Sequence, residues 1–97
     1  MKQIINNLLY DTDDATQVCE GGNGLSMADF NCVDKSLYRT DSGLWFVRTY
    51  LGAAASGSGS CERFLVEYTE DEAYEFMVAN ASVDKTIEFF GDRVKKA

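Results

Sequence analysis

Apolar and polar positions alternate most clearly at 36–51, where SLYRT and LWFVRTYL flank Asp41-Ser42-Gly43. Both runs are rich in aromatic and β-branched residues, and the intervening triplet supplies turn chemistry, so the segment predicts a β-hairpin. Alternation places Leu37 and Arg39 opposite in facing to Tyr38 and Thr40, and Leu44, Phe46 and Arg48 opposite to Trp45, Val47 and Thr49. A third strand is expected at 61–68, with Phe64, Val66 and Tyr68 on one face, giving an antiparallel meander. Residues 52–60, GAAASGSGS, offer almost no side chain to bury and predict a flexible connection before it.

The period changes after Tyr68. Thr69-Glu70-Asp71-Glu72 matches a capping box, and its acidic first turn complements the positive end of a helix dipole. The expected helix runs to about Asn80 with Ala73, Phe76 and Met77 inward. Ser82 is placed to cap a last helix in which Val83, Ile87 and Phe90 recur at helical spacing before Gly91.

The first third of the chain is less regular. Ile4, Ile5, Leu8, Leu9 and Tyr10 flank Asn6-Asn7 and predict an extended start, with a tiny hairpin as the alternative. From Asp11 the pattern predicts a short helix: Asp11 as cap, Asp13 and Asp14 in the first turn, Ala15, Val18 and Cys19 on one face, and Gly21-Gly22 as the stop. Residues 21–34 read as a loop anchored by Phe30. The whole is one α+β domain over 1–97. It has a small three-to-four-stranded antiparallel sheet (hairpin 36–51, strand 61–68), a short N-terminal helix and two C-terminal helices.

Composition narrows the chemistry. Sixteen acidic against nine basic residues give a net charge of −7, which repels nucleic acid and anionic membrane and attracts basic surfaces. No apolar run is long enough for a membrane span and the first residues lack the apolar stretch of a signal peptide, so a cytoplasmic location is expected. Three scattered cysteines, 19, 32 and 61, predict reduced thiols rather than a disulfide framework. The absence of histidine removes the commonest general base and imidazole metal ligand together.

Asp11-Thr12-Asp13 begins like a calcium loop, but the remaining ligand and glycine places hold Ala15, Thr16 and Gly22. Gly21-Gly22-Asn23-Gly24 lacks the phosphate-loop spacing and its lysine. No catalytic residue, metal site or cofactor is therefore assigned, and the chain is read as a non-enzyme. What stands out is the distribution of acid. Residues 11–20 hold four acids and no base, and residues 67–75, EYTEDEAYE, hold five acids and no base. A shared surface made of both would imitate a row of phosphates.

Four stretches of this chain resemble a group of small acidic proteins of phages and other bacterial mobile elements: KQII with YDTDDATQV, ADF, SLYRTDSGLWFV, and YTEDEAYEFM. They cover a little over a third of the chain. The resemblance departs after the hairpin, where Leu51-Gly52-Ala53-Ala54-Ala55 and the Gly/Ser run replace a GGxxS-type segment. It implies a compact α+β fold and an anti-CRISPR-type role in a bacterial host cell. The expected partner is then the basic nucleic-acid-binding surface of a CRISPR effector, a type I surveillance complex foremost, with no direct nucleic-acid or membrane contact by a monomer or homodimer.

Asp11, Asp13, Asp14, Glu67, Glu70, Asp71, Glu72 and Glu75 are the expected phosphate-like contacts, with Tyr74 adding area. The alternative is a structural or adaptor module that self-associates or docks a host protein through an aromatic hairpin face carrying Tyr38, Trp45 and Tyr50.

Overall fold

The computed structural model describes residues 1–97. A two-stranded hairpin, β1 (Lys2–Ile5) and β2 (Leu8–Asp11), precedes a four-stranded sheet of β3 (Thr16–Gly22), β4 (Val33–Arg39), β5 (Trp45–Leu51) and β6 (Glu62–Tyr68). Strand order is β3-β4-β5-β6, antiparallel throughout, so the expected meander is present. A helical turn, α1 (Ala53–Ser56), lies between β5 and β6, and α2 (Glu70–Asn80) and α3 (Val83–Phe90) follow.

The sheet separates two cores. Alternation along β4 and β5 sends Leu37, Trp45 and Val47 to the face covered by α2 and α3, where they pack with Val18, Ala73, Met77 and Phe90. Trp45 is the hub: its ring stacks on Phe90 at 5.3 Å and meets the edge of Phe89 at 5.7 Å. The other face carries Tyr38, Phe46 and Leu65, roofed by Tyr10 of the β1–β2 hairpin. Tyr38 and Tyr10 each lie 5.2 Å from Phe46.

Residues 11–20 are not a helix. Thr12–Ala15 form a turn and β3 begins at Thr16, pairing with β4 from Thr16↔Arg39 to Gly22↔Asp34. The register shifts between Gln17 and Cys19, and this bulge lets the adjacent Val18 and Cys19 both pack toward the helices. Two neighbouring inward residues are normal for a helix face and abnormal for a regular strand, which is why the pattern predicted a helix. Gly21 does not stop a helix either; a Cβ there would meet Asn80 and Phe76 within 3 Å, so the glycine lets β3 approach α2.

The extended start is likewise a hairpin, because Asn6 and Asn7 both adopt positive φ (51° and 66°) and turn the chain back. This hairpin lies against the outer strand β6. Gln3 acts as a short false strand there, its amide oxygen accepting from the Leu65 N–H at 2.9 Å and its amide nitrogen donating to the Leu65 carbonyl at 3.2 Å. The device occupies backbone groups at a free sheet edge.

At the C-terminal side the caps are as expected. The Thr69 hydroxyl accepts from the Glu72 N–H and the Glu72 carboxylate accepts from the Thr69 N–H, closing the capping box. Ser82 caps α3 through the Lys85 N–H. The inward face of α3 differs: Thr86 and Phe90 are buried, while Val83 and Ile87 are exposed and line an apolar groove with Val78, Ala81 and Val94. Phe30 is 73% exposed and anchors nothing by its ring; its carbonyl accepts from the Ala54 and Ala55 N–H groups, and the buried Cys32 holds the loop.

Candidate partner-binding surface

The antiparallel register decides where the acids go. Thr16 at the start of β3 opposes Arg39 at the end of β4, Arg39 opposes Trp45, and Trp45 opposes Tyr68 at the end of β6. The β2–β3 turn, the β4–β5 turn and the start of α2 therefore emerge from the same end of the sheet. Three strand spacings of ~4.8 Å put them within about 14 Å laterally. Asp11 and Asp14 face Thr40, Asp41 and Ser42 across a shallow groove. Glu70 lines a second depression at this end with Glu88, Asp92 and Arg93. The two acidic segments thus flank one edge of the molecule, Asp11–Asp14 on the hairpin side and the α2 acids on the helical side.

The nine expected residues divide by what each already does. Asp13, Asp14, Glu70 and Glu75 are exposed, and their carboxylates accept no hydrogen bond within the protein. Asp11 Oδ1 accepts from the Asp13 N–H at 3.0 Å and shapes the turn. Asp71 pairs with Arg93 at 2.8 Å, and the Arg93 guanidinium lies 4.5 Å over the Tyr74 ring. Tyr74 is half-buried and edge-on to Phe90 at 5.3 Å, so its ring serves packing more than contact area. Glu72 is occupied by the capping box.

Glu67 is not at the surface edge. β6 alternation turns it toward the hairpin, where its two oxygens accept from the Asn6 side-chain amide and the Tyr10 hydroxyl, each at 2.5 Å. This carboxylate joins the hairpin to the sheet. Its effect on Tyr10 is large: burial first, then the hydrogen bond and charge of Glu67, push the phenol from 10.0 to about 12. Tyr68, at the end of β6, is also pushed up, by burial and then by the Glu72 charge.

Sequence patterning missed Asp41, Glu88 and Asp92, because each is an isolated acid in a turn or helix end rather than part of a run. The meander register brings Asp41 beside the others, and the packing of α3 against the sheet and α2 brings Glu88 and Asp92. Several cations interrupt the edge: Arg93 paired as above, Arg39 stacked 5.2 Å over Trp45 and 5.8 Å over Phe89, the Met1 ammonium donating to the Thr12 hydroxyl at 2.9 Å between Asp11 and Asp13, and Lys2 opposite Asp11 in the β1–β2 register. No three thiol or carboxylate groups converge in a geometry suited to a metal ion. The aromatic hairpin is not a free apolar patch either, since Tyr38 and Trp45 are buried on opposite faces of the sheet. No helix is long and apolar enough to cross a membrane. Comparison with protein-family models, curated proteins and solved structures finds no match to this chain.

Proposed function

We propose that this chain is a non-enzymatic inhibitor of the anti-CRISPR type, which lays its acidic sheet end into the Lys/Arg-lined nucleic-acid groove of a bacterial CRISPR effector, a type I surveillance complex being the favoured target. The observation that supports this reading is the gathering of Asp13, Asp14, Asp41, Glu70 and Asp92 along one sheet end whose backbone is fixed by short connections. Fixed anions in a row compete with phosphates for guanidinium and ammonium donors, and their field speeds encounter with a basic groove. Asp13, Asp14, Glu70 and Glu75 are the principal contacts, since they have no structural duty.

The test is target-DNA binding by a purified type I complex titrated with this protein, in parallel with the Asp13→Lys/Asp14→Lys/Glu70→Lys variant. Competitive loss of DNA binding with the native chain, abolished in the variant, is the expected result. DNA binding undisturbed by a large excess of the native chain would contradict the choice of target. Equal inhibition by native chain and variant would contradict the acidic end as the contact.

A further inference from the structure

The opposite half of the sheet's hairpin face carries a different kind of site. Arg48 on β5 stands across from Leu65 on β6, and Arg63 stands across from Tyr50, so the two arginines are diagonal neighbours on one face. With Met1, Met27, Asp34, Thr49 and Tyr50 they line a groove of about 480 Å³. That volume lies in the range of small-molecule sites, roughly 300–1,000 Å³.

Both guanidinium groups are held but not neutralised. Arg48 donates to the Ser36 hydroxyl at 3.3 Å and lies 5.9 Å from the Tyr38 ring centre. Arg63 lies 5.3 Å over the Tyr50 ring, and the Tyr50 hydroxyl donates to the Met27 carbonyl at 3.1 Å, fixing that platform. The protein's one side-chain ion pair is Arg93–Asp71, so neither groove arginine has a carboxylate within salt-bridge distance, although acids outnumber bases 16 to 9. Asp34 lines the groove without closing on either arginine. A guanidinium has five donors, and Arg48 spends one of them on Ser36.

We propose that this groove binds a small oxyanion-bearing molecule, its phosphoryl or carboxylate group bridged by Arg48 and Arg63 and an adjacent hydroxyl or amine received by Asp34. The groove uses none of the acidic contacts named above and is independent of the inhibitor reading, although Met1 runs from it to the β2–β3 turn, where its ammonium donates to the Thr12 hydroxyl at 2.9 Å. Pairs of guanidinium groups match oxyanion geometry, and cations stacked on tyrosine rings keep their outer edges free to donate. In a chain of charge −7, two neighbouring arginines without a carboxylate partner supply local attraction for an anion.

The test follows the arginine Nε–H signals of the intact protein by NMR during titration with inorganic phosphate, ribose 5-phosphate and succinate. Saturable shifts at Arg48 and Arg63 with either phosphate compound assign a phosphoryl ligand, and saturation with succinate alone assigns a carboxylate; both support the site. Arg63→Gln, at an exposed position, is expected to weaken binding about tenfold or more while leaving the amide spectrum otherwise native. Linear shifts without saturation for all three probes overturn the proposal. So do shifts at Arg39 and Arg93 as large as those in the groove, or unchanged affinity in Arg63→Gln.

Discussion

The two ends of the four-stranded sheet are built to different standards of rigidity. At the acidic end the connections are tight: Asp41-Ser42-Gly43 turns with Gly43 at φ 89°, and the single residue Thr69 separates β6 from α2. Beneath them Trp45, Phe89, Phe90, Tyr74 and the stacked arginines form a continuous aromatic bed. At the other end two long connections, 23–32 and 52–61, expose Leu25, Met27 and Phe30 and rely on serine hydroxyls, such as Ser56 donating to the Ser60 carbonyl at 2.7 Å. The stiff end suits a display of charge: on the proposed reading its anions meet a fixed array of donors, and a mobile carboxylate would lose more ordering entropy on docking.

The largest loss is expected when the aromatic bed is removed. Trp45→Ala deletes the hub shared by Phe89, Phe90 and Arg39 and should cost about 3–5 kcal/mol in urea unfolding. A next, smaller effect is expected at the hairpin. Tyr10→Phe leaves the half-buried Glu67 carboxylate without its phenol donor and should cost about 1.5–3 kcal/mol, read by the same denaturant curves.

The pH profile sharpens that second prediction. Because the folded Tyr10 holds its proton to about pH 12 and the unfolded one only to about 10, its contribution is complete below pH 10 and is lost as pH rises from 10 to 12. Cys19, pushed up chiefly by burial, acts in the same direction from about pH 9 upward. Stability of the native chain should therefore fall across this alkaline window, and more gently in Tyr10→Phe. A smaller loss, about 1 kcal/mol, is expected for Thr69→Ala at the stiff end, since it empties the capping box. At the loose end, Ser58→Gly should change the melting free energy by less than about 0.5 kcal/mol.

What was legible in the sequence follows the same division. The hairpin 36–51, strand β6 and the caps of α2 and α3 were readable because turn residues, alternation and capping chemistry are local and agree with one another. The pattern at 11–20 reads as a helix because a bulge at Gln17/Cys19 puts two adjacent residues inward, a tertiary adjustment with no local signature. The α3 face differs from its spacing at Val83 and Ile87, since helical spacing does not reveal which stripe meets the sheet. At the candidate surface the acidic runs are visible in the sequence, but Asp41 joins them only through strand register and Asp92 only through the packing of α3. Glu67 left them because strand alternation turned it toward Tyr10.

The most direct measurement is the association rate of the native chain with a purified type I complex at low and high salt. It would be compared with Asp13→Lys/Asp14→Lys/Glu70→Lys and with Glu20→Lys/Glu62→Lys, which reverses charge away from the acidic end. An acidic contact surface gives fast association that slows steeply with salt, near-complete loss in the first variant and a small change in the second. Association insensitive to salt, or equally impaired by both variants, would show that the acidic end is not the surface that binds.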